Sequence, residues 1–363
     1  MYNAAGELGF RVLVGGGLGR TPVVGAFINE FLPWQDLLSY LDAILRVYNR
    51  YGRRDNKYKA RIKILVKALT PEVFAEKVEA EMAHLRGGQT TLTDAEVHRV
   101  AKHFVDPDYK TLSNQDAELA ALDQQHPGFA RWRTRNTLAH KKPGYVAVTL
   151  SLKPTGVAPG DVTDKQFDAI ADLADRYSFG QLRTSHEQNI ILADVEQSQL
   201  FTLWGELREN GFATPNIGLL TDIICCPGGD FCSLANAKSI PIAESIQRRF
   251  DDLDYLFDIG ELDLNISGCM NACGHHHVGH IGILGVDKKG EEFYQVSLGG
   301  SASRDASLGK ILGPSFAQDD MPDVISKLID VYVEQRTEDE RFIDTYQRIG
   351  IDLFKERVYA ANH

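Results

Sequence analysis

Two short stretches decide how this sequence is interpreted: Cys226-Pro-Gly-Gly-Asp-Phe-Cys232 and Cys269-Met-Asn-Ala-Cys273. Each carries two thiols, and glycines lie within or directly beside both stretches. A cubane [4Fe-4S] cluster takes four thiolates, and glycine lets the backbone come close enough to donate N–H groups to sulfur. The spacing therefore favours an iron–sulfur cluster whose ligands are Cys226, Cys232, Cys269 and Cys273.

The thiols are also compatible with two simpler roles. Four thiolates make a closed zinc site, but structural zinc usually has two to four residues between paired cysteines, and five separate Cys226 from Cys232. The thiols could instead be small buried hydrophobic groups. All five cysteines fall between Cys225 and Cys273, and this clustering favours metal binding. Cys225 is predicted not to be a ligand, although it could exchange roles with its neighbour.

Size and charge limit the function further. With 363 residues and 43% hydrophobic content, the chain is long enough for two or three modules. The net charge of −11 argues against nucleic acid as a partner, because phosphate binding needs a surplus of Lys and Arg. The sequence has no apolar stretch of about eighteen residues to span a membrane and no export signal, so we expect a cytoplasmic protein.

Hydrophobic periodicity predicts the secondary structure. A strand at Gly9–Val14 runs into the glycine-rich turn 15–19, and residues 112–142 are polar and ambiguous. After Pro143, a strand, a helix, two strands and a helix follow one another, an order that predicts a ferredoxin-like α+β module. The predicted helices are 34–51, 57–69, 71–85, 163–177, 196–210 and 322–335. The later predicted strands are 145–150, a pair within 180–193, 262–266, 280–286 and 293–298.

The paired cysteine motif, with Asn271 between the last two thiols, resembles the signature of the sulfite and nitrite reductases, which bind sirohaem and a [4Fe-4S] cluster. The likeness covers essentially the whole chain, and it is greatest to the haemoprotein β-component of assimilatory sulfite reductase. Other segments that resemble the family, in family order, are 13–19, the basic run 51–63, Arg183-Thr184 and 188–191.

The resemblance implies roles for particular residues. The four cysteines would be the cluster ligands, and Cys273 would also be the axial ligand of the sirohaem iron. Asn271 would face the macrocycle, and Arg54 and Arg61 would lie near the cofactor. No catalytic residue is assigned. The implied fold is α+β and has three parts: the end of a first sirohaem and cluster repeat (1–140), a ferredoxin-like half-domain (141–213) and the sirohaem and [4Fe-4S] domain (214–363).

The implied activity is the six-electron reduction of sulfite to sulfide, with electrons from ferredoxin or a flavoprotein. Reduction of nitrite to ammonia, or an iron–sulfur electron-transfer module without catalysis, are the alternatives. The family is built from two pseudo-symmetric halves, and this sequence carries one ferredoxin-like module. We therefore expect an N-terminal half to precede Met1 and to carry most of the substrate-binding Arg and Lys residues, which puts the activity of this chain alone in doubt.

Three further features allow more than one interpretation. The basic run that includes Arg54 and Arg61 could be a solvated helix face instead of a cofactor site. The loop Gly15 to Gly19 lacks the third glycine of a dinucleotide fingerprint, so a nest of backbone N–H groups for a sirohaem carboxylate is preferred. Four imidazoles lie close together in the sequence, those of His275, His276, His277 and His280. They are interpreted as polar packing at the sirohaem edge, with a second metal or a proton relay as alternatives.

Overall fold

The computed structural model describes residues 1–3 and 5–360, in two compact units that divide between Asp108 and Tyr109. Over these described ranges, every helix is too short or too polar to cross a bilayer. The predicted third domain extends to residue 363, and its last three residues lie outside the described part of the chain.

The first unit is an antiparallel hairpin packed against helices. Its core joins Val12 and Leu32 of the strands to Tyr40 and Phe74 of the helices, which are all buried. Pro71 opens one helix, where its missing N–H costs nothing, and the Thr70 hydroxyl accepts the Val73 N–H. The elements are β1 (Gly9–Val14), β2 (Ala26–Pro33), α1 (Leu37–Tyr51), α2 (Ile62–Leu69), α3 (Pro71–Met82) and α4 (Asp94–Ala101).

Two of the predicted helices in this unit begin later than the sequence pattern indicates. Residues 34–36 form a 3-10 turn before α1, and the helix predicted from residue 57 starts only at Ile62. Lys59 N–H bonds to the Asn56 carbonyl in a turn, and Arg61 is extended, so the basic run precedes α2 except for its last basic residue, Lys63. Strand β2 is not among the predicted strands, because its half-buried residues do not alternate regularly.

The first part of the second unit is a four-stranded antiparallel sheet covered by helices, in the strand order β3-β4-β6-β5. The predicted strand–helix–strand–strand–helix succession is present, and a capping box of Thr163 and Gln166 begins its first helix. Trp132, Val148, Leu192 and Leu203 are buried in one core. The elements are α5 (Asp116–Gln125), α6 (Pro127–Asn136), β3 (Thr137–Ala139), β4 (Tyr145–Leu150), α7 (Asp164–Tyr177), β5 (Leu182–Thr184), β6 (Ile190–Glu196) and α8 (Leu200–Glu209).

The cysteine-bearing part is a five-stranded mixed sheet in the order β11-β10-β9-β8-β7, with helices packed on it. β7, β8 and β9 run parallel, and β10 and β11 are antiparallel to their neighbours. Its elements are β7 (Ile224–Cys225), α9 (Gly228–Phe231), α10 (Ile240–Arg249), α11 (Leu253–Ile259), β8 (Leu264–Ser267), β9 (Ile281–Lys288), β10 (Glu291–Leu298), β11 (Lys310–Ile311), α12 (Met321–Gln335), α13 (Phe342–Ile349) and α14 (Asp352–Tyr359).

A buried ion pair joins the segment after β4 to the segment before β7. Lys153 Nζ lies 2.7 Å from Asp222 Oδ1, and it also donates to the Asp222 carbonyl at 3.2 Å. The carboxylate accepts from Asn189 Nδ2 at 3.0 Å and from the Gly218 N–H at 3.0 Å. The Lys153 side chain is fully buried and that of Asp222 is 5% exposed. Both charged groups therefore have hydrogen-bond partners in addition to each other, which is the condition under which a buried ion pair is tolerated.

Removing one partner of this pair should destabilise the second unit. Lys153→Met keeps the length of the side chain but leaves the Asp222 carboxylate buried without its cation, and we expect a loss of about 3–5 kcal/mol in the free energy of unfolding. Chemical denaturation followed by circular dichroism measures it. The double variant Lys153→Met/Asp222→Asn should recover much of the loss. An unfolding midpoint of Lys153→Met equal to that of the parent chain would contradict the prediction.

Candidate metal-cluster site

The two cysteine loops begin at the same edge of the five-stranded sheet. β7 and β8 are neighbouring parallel strands, so their carboxyl ends lie side by side. Cys226 directly follows the last residue of β7, and Cys269 follows the last residue of β8 after Gly268. The Cys226 N–H also bonds to the Ile266 carbonyl of β8 at 3.1 Å. Strand pairing thus brings together two thiol pairs that are distant in sequence.

Glycines allow the two loops to touch. Gly228 has φ +57°, and a Cβ there would lie 2.4 Å from the Ser239 nitrogen. A Cβ on Gly268 would lie 2.6 Å from the Ala237 carbonyl oxygen and 2.8 Å from the Gly228 Cα. Real Cβ atoms do not come this close to other atoms, so a side chain at Gly228 would displace Ser239 and one at Gly268 would push the two loops apart.

Hydrogen-bond donors point at the sulfur of Cys226, the first predicted ligand. The Gly268 N–H donates to Cys226 Sγ at 3.1 Å, and the Ser239 hydroxyl oxygen lies 3.5 Å from the same sulfur. Such donors stabilise the negative charge of a thiolate, and hydrogen bonds to sulfur are one of the means by which proteins tune iron–sulfur clusters. The residues present therefore fit a thiolate-bound cluster.

The thiols of both loops lie within electrostatic range of each other. Burial raises the pKa of the Cys273 thiol, and nearby thiolates raise it further. These thiolates belong to the other three cysteines of the two loops: Cys226, Cys269 and Cys232. Neighbouring thiolates repel one another, and a bound cationic centre would offset the repulsion that the Cys273 thiolate experiences.

The thiols do not surround a single point. Within residues 1–3 and 5–360, no three His, Cys, Asp or Glu side chains are arranged to hold one metal ion. A zinc ion needs all of its sulfur ligands about 2.3 Å from one centre. In a cubane each thiolate binds a different iron, so its four sulfurs stand further apart.

Cys225 differs from the other four cysteines. It is 4% exposed and belongs to the hydrophobic core beneath the sheet edge. Its thiol donates to the Cys226 carbonyl at 3.2 Å, and burial raises its pKa well above the ordinary range of a cysteine. A buried neutral thiol with a backbone partner is a core side chain; the exclusion of Cys225 from the ligand set stays a prediction.

The predicted residues around Cys273 have different environments. Asn271 and His275 are exposed, whereas His276 is buried and finds no hydrogen-bond partner for either ring nitrogen among the described residues. Burial, with a contribution from His277, lowers the pKa of His276 to about 3, so this ring is neutral. His280 accepts the Asp263 N–H at 3.1 Å, and its other ring nitrogen lies 3.5 Å from the Asp263 carboxylate.

Arg54 and Arg61 are exposed and lie in the first unit. Arg54 stacks on the Tyr48 ring at 4.5 Å and donates to Asn49 Oδ1 at 3.1 Å. Arg61 donates to the carbonyls of Lys57 and Ala60. The partners in these local contacts are all uncharged. In these contacts, therefore, neither guanidinium group is paired with a carboxylate. Their proximity to a cofactor remains a prediction.

The glycine loop is the tip of the β1–β2 hairpin. Gly17 and Val23 exchange two backbone hydrogen bonds of 3.0 and 2.8 Å, and the chain then continues as a strand. A dinucleotide fingerprint requires a helix after the loop, so this loop does not have the structure of a dinucleotide site. Gly15 and Gly19 have φ of +75° and +88°, as a tight turn of exposed backbone needs. The anion nest stays a prediction.

Two residues next to the thiols have no role predicted from the sequence. Ser239 lies beside Cys226 Sγ, and the Gln188 side chain bonds to the backbone of Cys225. Nothing in the sequence around Ser239 indicates its position, since it reaches the sulfur from the start of α10. Gln188 lies in the stretch 188–191, which resembles the family. That resemblance is the only feature of the sequence that points to Gln188.

Two family models match this chain. The nitrite and sulphite reductase 4Fe-4S domain matches residues 1–85 and 219–362, and the nitrite/sulfite reductase ferredoxin-like half domain matches residues 139–210. The chain therefore belongs to the nitrite and sulphite reductase family. This confirms the family and the α+β fold with a ferredoxin-like module, and the cofactors of the family are a [4Fe-4S] cluster and sirohaem, as predicted.

Individual relatives agree with this assignment. The chain is 26% identical to sulfite reductase [ferredoxin] 2 of Mycolicibacterium paratuberculosis over 95% of its own length and 57% of the relative. It is 29% identical to ferredoxin–nitrite reductase of Synechococcus elongatus over 89% of its length and 57% of the relative. The structure of the Mycobacterium tuberculosis NirA protein shares the fold, with a TM-score of 0.68 and 24% identity, over 95% of this chain and 58% of that one. The chain thus spans little more than half the length of these relatives.

Thiol alkylation should separate Cys225 from the loop cysteines. The thiolate is the reactive form, and because burial raises the Cys225 pKa, its thiolate fraction at neutral pH is very small. In the folded, metal-free chain we expect iodoacetamide to label Cys225 last, with a rate that increases as the pH becomes alkaline. Peptide mass spectrometry measures the order, and in denaturant all five cysteines should react alike. Labelling of Cys225 as fast as Cys226 at neutral pH would contradict this prediction.

Proposed function

We propose that the chain holds a [4Fe-4S] cluster coupled to a sirohaem and takes part in the six-electron reduction of sulfite to sulfide. The proposed cluster ligands are Cys226, Cys232, Cys269 and Cys273. The observation that carries the proposal is the meeting of both cysteine loops at one sheet edge, with the Gly268 N–H directed at Cys226 Sγ.

Exposure distinguishes the two thiols of the second loop. Cys269 is 8% exposed, whereas Cys273 is exposed, as a thiolate shared with a second cofactor must be. In this proposal Cys273 would hold both the cluster and the sirohaem iron, and Asn271 would contact the macrocycle. When bound, the cluster supplies electrons and the sirohaem iron supplies the position for the substrate anion.

Cations are needed where a sirohaem binds, because the macrocycle bears many carboxylates. Arg54 and Arg61 are the proposed cations of this chain, and both present guanidinium N–H groups at the surface of the first unit. The turn Gly15 to Gly19 is the proposed source of additional backbone donors, apart from the Gly17 N–H, which bonds to the Val23 carbonyl. The Gly268 N–H and the Ser239 hydroxyl act on the cluster side by stabilising the charge of the Cys226 thiolate.

The names of the relatives support the choice of substrate and donor only in part. Relatives named for sulfite and for nitrite both match, and both kinds are named as ferredoxin-dependent. We propose sulfite as the first candidate substrate on the likeness of the cysteine motif to sulfite reductases, and ferredoxin as the first candidate donor because relatives of both kinds are named for it. Nitrite, reduced to ammonia, is the second candidate substrate, and a flavoprotein is the second candidate donor.

The proposed organisation has three parts. Residues 1–140 would be the end of a first sirohaem and cluster repeat, 141–213 the ferredoxin-like half-domain, and 214–363 the cluster domain. The chain would correspond to the C-terminal portion of a two-half reductase. Supporting this, it covers 57% of the sulfite reductase relative, and one ferredoxin-like half domain is matched.

Cofactor content after anaerobic reconstitution tests the ligand assignment. We expect four iron and four acid-labile sulfide per chain, with visible bands of sirohaem when that cofactor is supplied. Cys226→Ser, Cys232→Ser, Cys269→Ser and Cys273→Ser should each lose most of the cluster, because a cubane corner is left without its thiolate. Cys225→Ser is the matched control and should keep it. Zinc without iron would support the zinc alternative, and a Cys273→Ser variant with parent spectra would refute the bridging assignment.

Activity tests the reaction separately from the cofactors. We expect the reconstituted chain to reduce sulfite with a chemical electron donor only after it is mixed with a polypeptide equivalent to the N-terminal half of a relative, because that half is proposed to supply the cations around the substrate. Sulfide and ammonia are measured from sulfite and nitrite in parallel. Full activity of the chain by itself would contradict the proposed division of the site. Ammonia from nitrite without sulfide from sulfite would favour the second candidate.

A further inference from the structure

The strand that leads to the first proposed ligand is short and lies at the edge of its sheet. β7 consists of Ile224 and Cys225, and its single sheet neighbour is β8. In a parallel pair, alternate residues direct their backbone groups to opposite sides. The Cys226 N–H points to β8, where it bonds to the Ile266 carbonyl, so the N–H and C=O of Cys225 point away from the sheet.

A side chain from the ferredoxin-like module occupies this open edge. Gln188 Nε2 donates to the Cys225 carbonyl at 2.8 Å, and Gln188 Oε1 accepts the Cys225 N–H at 2.7 Å. A carboxamide is the side-chain group that offers a donor and an acceptor in the geometry of a peptide bond. The Gln188 amide thus takes the place that a residue of a neighbouring strand would hold.

The backbone around Gln188 is shaped to allow this contact. Gln188 lies in the loop between β5 and β6 with φ +58°, a left-handed conformation that is unfavourable for a residue with a Cβ. A Cβ on Gly160 would lie 3.0 Å from the Gln188 Cβ, so a side chain at position 160 would crowd the loop that carries Gln188. The next residue, Asn189, donates a hydrogen bond to the Asp222 carboxylate. This bond also connects the loop to the segment before β7.

We propose that Gln188 is a positioning residue for the iron–sulfur cluster: its carboxamide fixes the backbone of Cys225 and thereby the direction in which the Cys226 thiolate leaves the sheet. The inference rests on the proposed function, because it assumes that Cys226 is a cluster ligand. A two-residue strand has few backbone bonds of its own, so the two from Gln188 are a large share of what orders the ligand.

Gln188→Gly separates the effect of the side-chain hydrogen bonds from the effect of the left-handed backbone. Glycine accepts the left-handed φ without strain, which offsets part of the cost of losing both bonds to Cys225, so the variant should remain folded. We expect the Cys225 amide of the metal-free chain to exchange with solvent about tenfold faster, and the reconstituted cluster to be lost to a chelator about tenfold faster, because two ordinary hydrogen bonds change an equilibrium by about this factor. Mass spectrometry and loss of visible absorption measure the two rates.

Two further variants complete the test. Lys289→Gly relaxes another left-handed residue, φ +60°, in the exposed β9–β10 turn and should leave both rates unchanged. Gln188→Met keeps the length of the side chain without its hydrogen bonds, and should reproduce the faster amide exchange if the glycine variant does not fold. Parent rates of amide exchange and cluster loss in a folded Gln188 variant would overturn the proposal. Absence of iron and sulfide from the parent chain would instead overturn the proposed function, and with it the role of Gln188.

Discussion

The parallel pairing of β7 with β8 is the constraint on which the site depends. The strands are two and four residues long, yet their pairing places Cys226 and Cys269 at adjacent strand ends. The glycines then let the loops come within van der Waals distance of each other, and no larger residue would fit. Since binding sites in sheets with parallel strands form where the strands end, the location follows from topology before any cofactor is considered.

Much of the fold could be predicted because its periodicity is local. The strand at Gly9–Val14, the helix after Thr163 and the strand–helix order of the ferredoxin-like module depend on patterns within about fifteen residues. β2 and the helix Ile240–Arg249 escape prediction, since β2 is half-buried and Pro241 in the first turn is a weak signal of a helix start. The polar stretch 112–142 contains α5 and α6, whose buried Phe129 and Trp132 are too few to give a clear period.

Residue type and spacing could predict the cysteines of the site but not the residues that support them. Four thiols with glycines beside them indicate a cluster, and a family likeness extends that to sirohaem, but neither indicates which distant side chains support the loops. Ser239, Gln188 and Lys153 act across gaps of 13, 37 and 69 residues. The contacts of Gln188 and Lys153 depend on how the ferredoxin-like module packs against the cysteine-bearing sheet, and that of Ser239 on how α10 packs beside the first loop. Single-sequence patterns do not carry that information.

The occupied edge of β7 also affects how the chain behaves when it meets other chains. An exposed strand edge is a template for pairing with a foreign strand, and a longer edge is a greater hazard. Here both outer strands of the five-stranded sheet, Ile224–Cys225 and Lys310–Ile311, are two residues long, and the glutamine amide already satisfies the outward backbone groups of Cys225. The same short strand that leads to a proposed ligand therefore leaves little open backbone for strand-to-strand aggregation.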